Sequence, residues 1–187
     1  MINTSLMLSQ YDYSAIQTFK RREFLPLSKT TLWRIETGAV RILTFTENGV
    51  AIPLGLWGTG DIVGQPLVRI YPCQIECLVD VKAHTLDFGQ FESLNQVMLS
   101  HIYQMQELLQ MRSGQVPQRL WQFLKWLAHK FGSETKQGIL VEIRLTHQDM
   151  ADAIGTTRVS VTRLLQQFEQ EGAISRLGKR GFLWHCS

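Results

Sequence analysis

The stretch LTHQDMADAIGTTRVSVTRLLQQFEQEGAI, residues 145–174, contains two short helical patterns that meet at a single glycine, Gly155. The first pattern begins at Thr146, whose hydroxyl and the carboxylate three residues later, Asp149, have the spacing of a capping box. The second pattern begins near Thr157, directly after the glycine. A helix, a short glycine-containing turn and another helix together make the layout of a helix-turn-helix.

The second helix is predicted to have an inner and an outer face, because side chains advance by about 100° per residue. The inner stripe is apolar and must pack on the first helix: Val161, Leu164, Leu165 and Phe168. The outer side mixes basic, polar and small apolar residues: Arg158, Val159, Ser160, Thr162, Arg163 and Gln166. Arginine binds guanine in the major groove of DNA, and hydroxyl groups bind base or phosphate. We therefore predict that this helix reads DNA.

A basic hairpin, or wing, is predicted to follow the second helix. The segment AISRLGKRGFLWHCS has two short apolar runs on either side of residues 178–181, with Lys179 and Arg180 at the tip. From Arg158 to the C-terminus, basic residues outnumber acidic ones, and the tip residues are placed to contact phosphate. The excess of positive charge thus lies where duplex DNA would bind.

Residues 20–90 are predicted to form a small all-β unit. Runs of β-branched and aromatic residues are interrupted at Thr37-Gly38 and at Asn48-Gly49, and WGTGDIVG carries a further turn. An Asn-Gly pair between two such runs predicts a β-hairpin in which both turn residues have positive φ. Short strands with turns about every ten residues are typical of a small barrel or jelly roll.

A long helix is predicted over residues 90–113, because FESLNQVMLSHIYQMQELLQM contains no glycine or proline. Its apolar side chains recur at helical spacing for longer than a small barrel needs, which favours pairing with the same helix of a second copy. The alternative is that the stripe packs only on its own barrel. A further helix is predicted at 118–131 and a loop, GSETKQG, at 132–138. The predicted dimer interface consists of Leu94, Met98, His101, Ile102, Met105, Leu108 and Leu109.

The bulk composition is that of an ordinary globular protein. Of the 187 residues, 44% are apolar and 19% are charged, and the formal net charge is +3. No apolar run approaches the roughly 18 residues of a membrane span, and the N-terminus has no signal-peptide pattern. We expect a cytoplasmic protein in which the three cysteines, Cys73, Cys77 and Cys186, form no disulfide framework.

Two other functions are compatible with this organisation. Small β-rolls also host metal-dependent enzymes of the cupin type, which need several histidines on one face. Only His84 lies in the β-region, and the other four histidines are scattered over other predicted elements, so neither an enzyme nor a bound metal or cofactor is expected. The second alternative is a ligand sensor whose C-terminal domain binds protein instead of DNA.

The helix-turn-helix stretch resembles that of the cyclic-AMP receptor/fumarate–nitrate regulator (CRP/FNR) superfamily of bacterial transcription factors. Upstream, LWRIETGAVRIL and WGTGDIVGQPL resemble the β-roll signatures of that family. TRVSVTRLL is most similar to the nitrogen-control regulators of photosynthetic bacteria. The resemblance implies an α+β fold with a shortened, cyclic-nucleotide-binding-like β-roll (residues 1–89), a dimerisation helix (90–113) and a winged helix-turn-helix domain (114–187).

The resemblance also implies roles for individual residues. Arg158 and Arg163 match base-reading arginines, whereas Val159 stands where cyclic-AMP receptors have a glutamate, which implies a different half-site. The nitrogen-control branch suggests a half-site like GTA, with its inverted copy about one helical turn away. His147 and Gln148 match positions near the phosphate backbone. The predicted DNA contacts are His147, Gln148, Thr157, Arg158, Val159, Ser160, Thr162, Arg163, Lys179 and Arg180.

The effector site departs from the pattern of the family. Cyclic-AMP binders in it hold the cyclic phosphate with an arginine and a serine, but here Gln65 and Pro66 follow Gly64, and VRIYPCQIEC lacks that pair. A cyclic phosphate would be desolvated with little compensation. We expect a homodimeric regulator that is independent of cyclic AMP and has double-stranded DNA and RNA polymerase as partners.

Overall fold

The structure, a computed structural model, describes residues 15–90, 93–178 and 181–185. Its N-terminal part is a β-roll built from two antiparallel sheets. The strands are β1 (Gln17–Phe19), β2 (Thr31–Thr37), β3 (Ala39–Phe45), β4 (Ala51–Gly58), β5 (Ile62–Val63), β6 (Cys73–Cys77) and β7 (Val81–Asp87). One sheet has the order β1-β7-β2-β5 and the other the order β4-β3-β6, so the predicted roll is confirmed.

Two glycines shape the roll at its turns. Gly38 has a φ of 102° between β2 and β3, and a Cβ there would lie 2.5 Å from the carbonyl oxygen of Asp80, so only glycine fits where the chain changes sheets. The predicted β3–β4 hairpin is present, and its loop is closed by the N–H of Thr46 donating to Val50. The predicted turn geometry was wrong, since Gly49 has a positive φ and Asn48 does not. The longer loop needs only one such residue.

The two strand cysteines, Cys73 and Cys77, are free thiols buried in the roll. Both lie on β6, and Cys186 lies outside the described residues. Burial, followed by the nearby carboxylates of Glu23 and Glu76, raises the pKa of Cys77 to about 12. These thiols therefore act as small apolar side chains in the core.

Two helices connect the roll to the C-terminal part. They are α1 (Leu94–Met111) and α2 (Val116–Phe131), with short 3₁₀ turns at Gln65–Leu67 and Phe88–Gln90 earlier in the chain. The segment predicted as a loop after α2 is instead a hairpin, β8 (Gly132–Thr135) with β9 (Gly138–Val141). Residues 132–138 are mostly polar and did not predict a strand. β9 pairs on its other side with a strand near the C-terminus, which a local sequence pattern does not indicate.

The remaining elements form the predicted winged helix-turn-helix. Helices α3 (His147–Ile154) and α4 (Arg158–Gln170) are followed by β10 (Ile174–Arg176) and β11 (Phe182–Trp184). The C-terminal sheet has the order β10-β11-β9-β8. Lys179 and Arg180, the predicted tip of the wing, lie outside the described residues.

One hydrophobic cluster crosses the boundaries between these parts. It joins Leu56 and Leu78 of the roll through Leu108 of α1 to Phe123 of α2 and Leu164 of α4. The helix-turn-helix therefore packs directly on the roll. The predicted domain boundaries, between residues 89 and 90 and between residues 113 and 114, stay predictions. In the part of the chain that the structure describes, no helix is both long and apolar enough to cross a membrane.

Candidate nucleic-acid interface

Helix α3 is fixed at both ends. At its start the Thr146 side chain accepts from the N–H of Asp149, and the Asp149 carboxylate accepts from the N–H of Thr146 at 2.7 Å, which confirms the capping box. At its end Gly155 has a left-handed φ of 66°, and the Arg119 guanidinium donates to the carbonyls of Ile154 and Gly155. Arg112 donates to Ala153 as well. These contacts satisfy carbonyl groups that a helix end leaves without partners.

Helix α4 has the two faces expected from its sequence. Its buried residues are Val161, Leu164, Leu165 and Phe168. On the other side, Arg158, Val159 and Arg163 are exposed, and 77% of the Val159 surface is open to solvent. Within residues 15–90, 93–178 and 181–185, neither arginine forms an ion pair. Both guanidinium groups are therefore free to bind an outside partner.

Thr157 and Ser160 lie in the first turn of α4. The Thr157 hydroxyl caps the helix by accepting from the Ser160 N–H at 3.2 Å, and the two hydroxyl oxygens lie 3.0 Å apart. One of these hydroxyls donates to the other, so only one proton of the pair remains for an outside acceptor. Gln148 on α3 is exposed, and its amide donates to Asp152 at 2.7 Å.

The hydroxyl of Thr162 is engaged inside the protein, contrary to its predicted role as a free donor to DNA. It donates to the carbonyl of Arg158 at 2.9 Å and lies 2.8 Å from Nδ1 of His147. Because the only hydroxyl proton is used, Nδ1–H of His147 must be the donor in the second bond. Thr162 is half-buried, and its hydroxyl proton is used within α4.

His147 is less often charged than an exposed histidine. Burial, and then the positive charges of Arg176 and Arg158, lower its pKa. With Nδ1–H bound to Thr162, the neutral ring has only an unprotonated Nε2 left, so donation to phosphate requires the protonated ring. A phosphate would supply the negative charge that favours this form.

A cleft beside the wing brings in two basic residues, Arg21 and Arg144, that the sequence analysis did not predict. A cleft of about 470 Å³ between α3 and the wing is lined by Arg21, Arg144 and Arg176, among others. Arg144 could have been found from its place beside the capping Thr146, whereas no local pattern indicates Arg21. Arg176 was predicted as part of the basic excess, but its guanidinium binds Glu169 at 2.5 Å and holds the pKa of that carboxyl below its usual range.

An apolar stripe runs along the outer side of α1. Met98, Ile102, Met105 and Leu109 are each 45–65% exposed, and Leu94 is half-buried. Two residues predicted for the dimer interface face their own chain instead. Leu108 is buried in the core, and His101 donates from Nε2 to the carbonyl of Ile62 at 2.8 Å and packs on Trp57. Both lie on the side of α1 that covers the roll.

Comparisons with known proteins agree with this architecture. The model of the Crp-like helix-turn-helix domain matches residues 118–184. Regulatory protein CysR of Synechococcus elongatus is 36% identical over 159 residues, which cover 83% of this chain and 77% of the relative. The global nitrogen regulator of the same organism is 30% identical over 160 residues, with 76% of this chain and 72% of the relative covered.

A solved structure has the same fold. A CRP-family transcriptional regulator from Thermus thermophilus superposes with a TM-score of 0.76 at 25% identity, and 91% of this chain and 92% of that chain are covered. These relatives are regulators rather than enzymes. No group of three potential metal-binding side chains occurs among the residues that the structure describes. The chain belongs to the CRP/FNR family of transcriptional regulators and carries the helix-turn-helix DNA-binding domain of that family.

Proposed function

We propose that the protein is a homodimeric regulator that reads a palindromic DNA site with α4 of each copy in the major groove. The observation that carries this proposal is the row Arg158, Val159 and Arg163, which is exposed on a helix whose other face is buried. Two symmetric recognition helices contact half-sites roughly 34 Å apart, which is one turn of duplex DNA. Neutralised phosphates would add affinity for any sequence.

The spacing of the exposed α1 residues supports the dimer. Met98, Ile102, Met105 and Leu109 are separated by four, three and four residues, which is the a/d spacing of a coiled-coil seam. At about 100° per residue these four fall within about 60°, on a stripe separate from the buried residues Val97, Gln104, Leu108 and Met111. A second copy would cover apolar surface that the single chain leaves in water.

The outer face of α4 favours a half-site that contains guanine and thymine. A guanidinium binds guanine O6 and N7 together, and Arg158 and Arg163 are both free for such a contact. Val159 has no polar atom beyond the backbone and suits the methyl group of thymine. A half-site like GTA satisfies these preferences. Lys179 and Arg180, with Arg144 beside the cleft, would contact phosphate on either side.

Independence from cyclic AMP is a further part of the proposal. In the segment between β5 and β6, the cation available for a phosphate is Arg69, and its side chain is exposed to water. Contact with RNA polymerase also belongs to the proposal, because a regulator bound near a promoter acts on that enzyme. Addition of cyclic AMP is expected to change neither the melting temperature nor DNA affinity.

Selection from a random DNA pool tests the proposal. The selected duplexes are expected to be palindromic, and sedimentation of the complex is expected to give two chains per duplex. The affinity for a scrambled duplex should be lower and should fall as the salt concentration rises, because it depends on phosphate contacts. Absence of sequence enrichment, or one chain bound to an asymmetric site, would contradict the proposal.

A further inference from the structure

Four charged residues form a network between the β-roll and α3. Arg41 on β3 binds Glu76 on the neighbouring β6 at 2.8 Å, and its other nitrogen binds Asp149 on α3 at 2.7 Å. Arg22 binds the second oxygen of Glu76 at 2.6 Å and lies 3.5 Å from Asp149. Two guanidinium groups therefore join two carboxylates, and the charges balance.

The centre of this network is removed from water. Arg41, Glu76 and Asp149 are 8%, 5% and 7% exposed, respectively. Charges are rarely buried in this way, because each must lose its hydration before it gains a partner. Burial would raise the pKa of Asp149, but the bonds from Thr146 and the charge of Arg41 outweigh it and lower the pKa. Asp149 is therefore charged when it joins the roll.

The backbone at Arg22 is also unusual. Its φ is 73°, and in the part of the chain that the structure describes it is the one non-glycine residue with a positive φ. Side chains are disfavoured in this conformation, so the surroundings must hold it. The Arg22 N–H donates to Cys77 at 2.8 Å, and this bond brings the guanidinium to the network.

Asp149 has a second role, as the capping acid of α3. Helix α3 packs on α4, so a constraint on the start of α3 also constrains the recognition helix. Apolar contacts between the roll and α3 favour burial but do not fix the orientation of α3 on the roll. A guanidinium bound to one carboxylate on the roll and one on α3 does fix this orientation. The network therefore gives the interface between the roll and α3 a defined orientation.

We propose that Arg41 and Glu76, together with Arg22, are positioning residues for DNA recognition, which act through Asp149 to set the orientation of α4 relative to α1. The inference rests on the proposed dimer, because the angle between roll and helix-turn-helix then determines the distance between two recognition helices. None of the three residues needs to contact DNA. Their effect should be greatest on the spacing of half-sites that the dimer accepts.

The test compares operators whose half-sites are separated by the selected spacing or by one base pair more or fewer. The double variant Arg41→Met/Glu76→Gln removes one charge of each sign and leaves Arg22 paired with Asp149. We expect it to bind the selected operator about tenfold more weakly and to discriminate less between the three spacings. Affinity for a scrambled duplex should be unchanged.

A matched control separates positioning from general stability. Thr44→Val lies on the same strand as Arg41 and removes the hydrogen bond that the Thr44 hydroxyl donates to the carbonyl of Pro72, a bond outside the charged network. This control should lower the melting temperature and keep the spacing profile of the wild type. All binding is measured well below the melting temperature of each variant.

Arg41→Lys provides a second test if the double variant does not fold. Lysine keeps the charge but cannot hold both carboxylates in the geometry of a guanidinium, so a smaller broadening is expected. If the double variant folds and keeps the spacing profile of the wild type, the inference is overturned while the proposed function stands. If only Arg41→Lys folds, a wild-type profile in that variant has the same consequence. A wild-type protein without any preferred sequence would overturn the proposed function, and this inference with it.

Discussion

Replacement of Arg163 by alanine tests the recognition helix at one side chain. Arg163 is exposed on α4, and it has no ion-pair partner in the described part of the chain. Its removal therefore leaves no buried group without a partner. The free energy of unfolding should change by no more than about 0.5 kcal/mol, as for other surface substitutions.

The effect on specific binding should be much larger. A bidentate contact between arginine and guanine is worth about 1–3 kcal/mol of discrimination. The dimer makes the contact twice, so the loss should reach about 2–6 kcal/mol, or roughly 30-fold to 10⁴-fold in the dissociation constant. Affinity for a scrambled duplex should fall far less, because only the phosphate attraction of one charge is lost.

Fluorescence anisotropy with labelled selected and scrambled duplexes measures both affinities. Arg69→Ala is the matched control, since it removes the same charge from an exposed position on the roll. The reasoning predicts that Arg69→Ala keeps the ratio of specific to scrambled affinity and Arg163→Ala loses it. Equal ratios in wild type and Arg163→Ala would refute the assignment of this side chain to a base.

Four further predictions follow from individual residues. Met105→Glu should weaken dimerisation by about 3–6 kcal/mol, because one apolar contact is lost in each copy. Gln110→Glu, which lies outside the stripe of Met98, Ile102, Met105 and Leu109, should not weaken it, and sedimentation of both variants checks this. Gly155→Ala should lower the free energy of unfolding by about 1–2 kcal/mol, because φ at this position is 66° even though there is space for a Cβ. Thermal unfolding of the variant and the wild type measures this difference. Burial lowers the pKa of His101 and His147 below 6.5, so near that pH the folded chain binds fewer protons than the unfolded chain. The free energy of unfolding should therefore fall as the pH drops below about 6.5, and a melting temperature at about pH 5.5 equal to or above that at about pH 7.5 would be inconsistent with this. Cys77 should react with iodoacetamide only on unfolding, because it is buried and its pKa is raised to about 12. Labelling of Cys77 in the native protein, detected by peptide mass spectrometry, would contradict this prediction.

Local patterns predicted the helix-turn-helix well. The capping box at Thr146, the left-handed Gly155 and the buried face of α4 all depend on residues within a few positions of one another. Such short-range features appear directly in sequence spacing. The outer face of α4 was predicted in the same way, although the hydroxyl of Thr162 proved to be used by His147, which lies 15 residues earlier.

Long-range contacts could not be predicted in this way. Arg22 and Asp149 are 127 positions apart, and no spacing rule indicates that they meet. On α1, the inner and outer stripes are both apolar, so periodicity alone assigned Leu108 to a dimer seam when it belongs to the core of its own chain. The β8–β9 hairpin was missed because β8 and the turn after it are polar and β9 is only four residues long. β9 pairs with β11 as well as with β8, and this pairing joins segments that are far apart in the chain.

A cutting reagent on α4 would test directly whether this helix lies in the groove of DNA. In a Cys186→Ser background, Val159→Cys introduces a thiol at a side chain that is 77% exposed, while Cys73 and Cys77 stay buried. With iron–EDTA attached to that thiol, we predict two clusters of cuts, related by the symmetry of the operator and about one helical turn apart. The same reagent at Val50→Cys, on the roll, should not give this pattern. Equal cutting from both positions, or no cuts from α4 on a bound operator, would contradict the account.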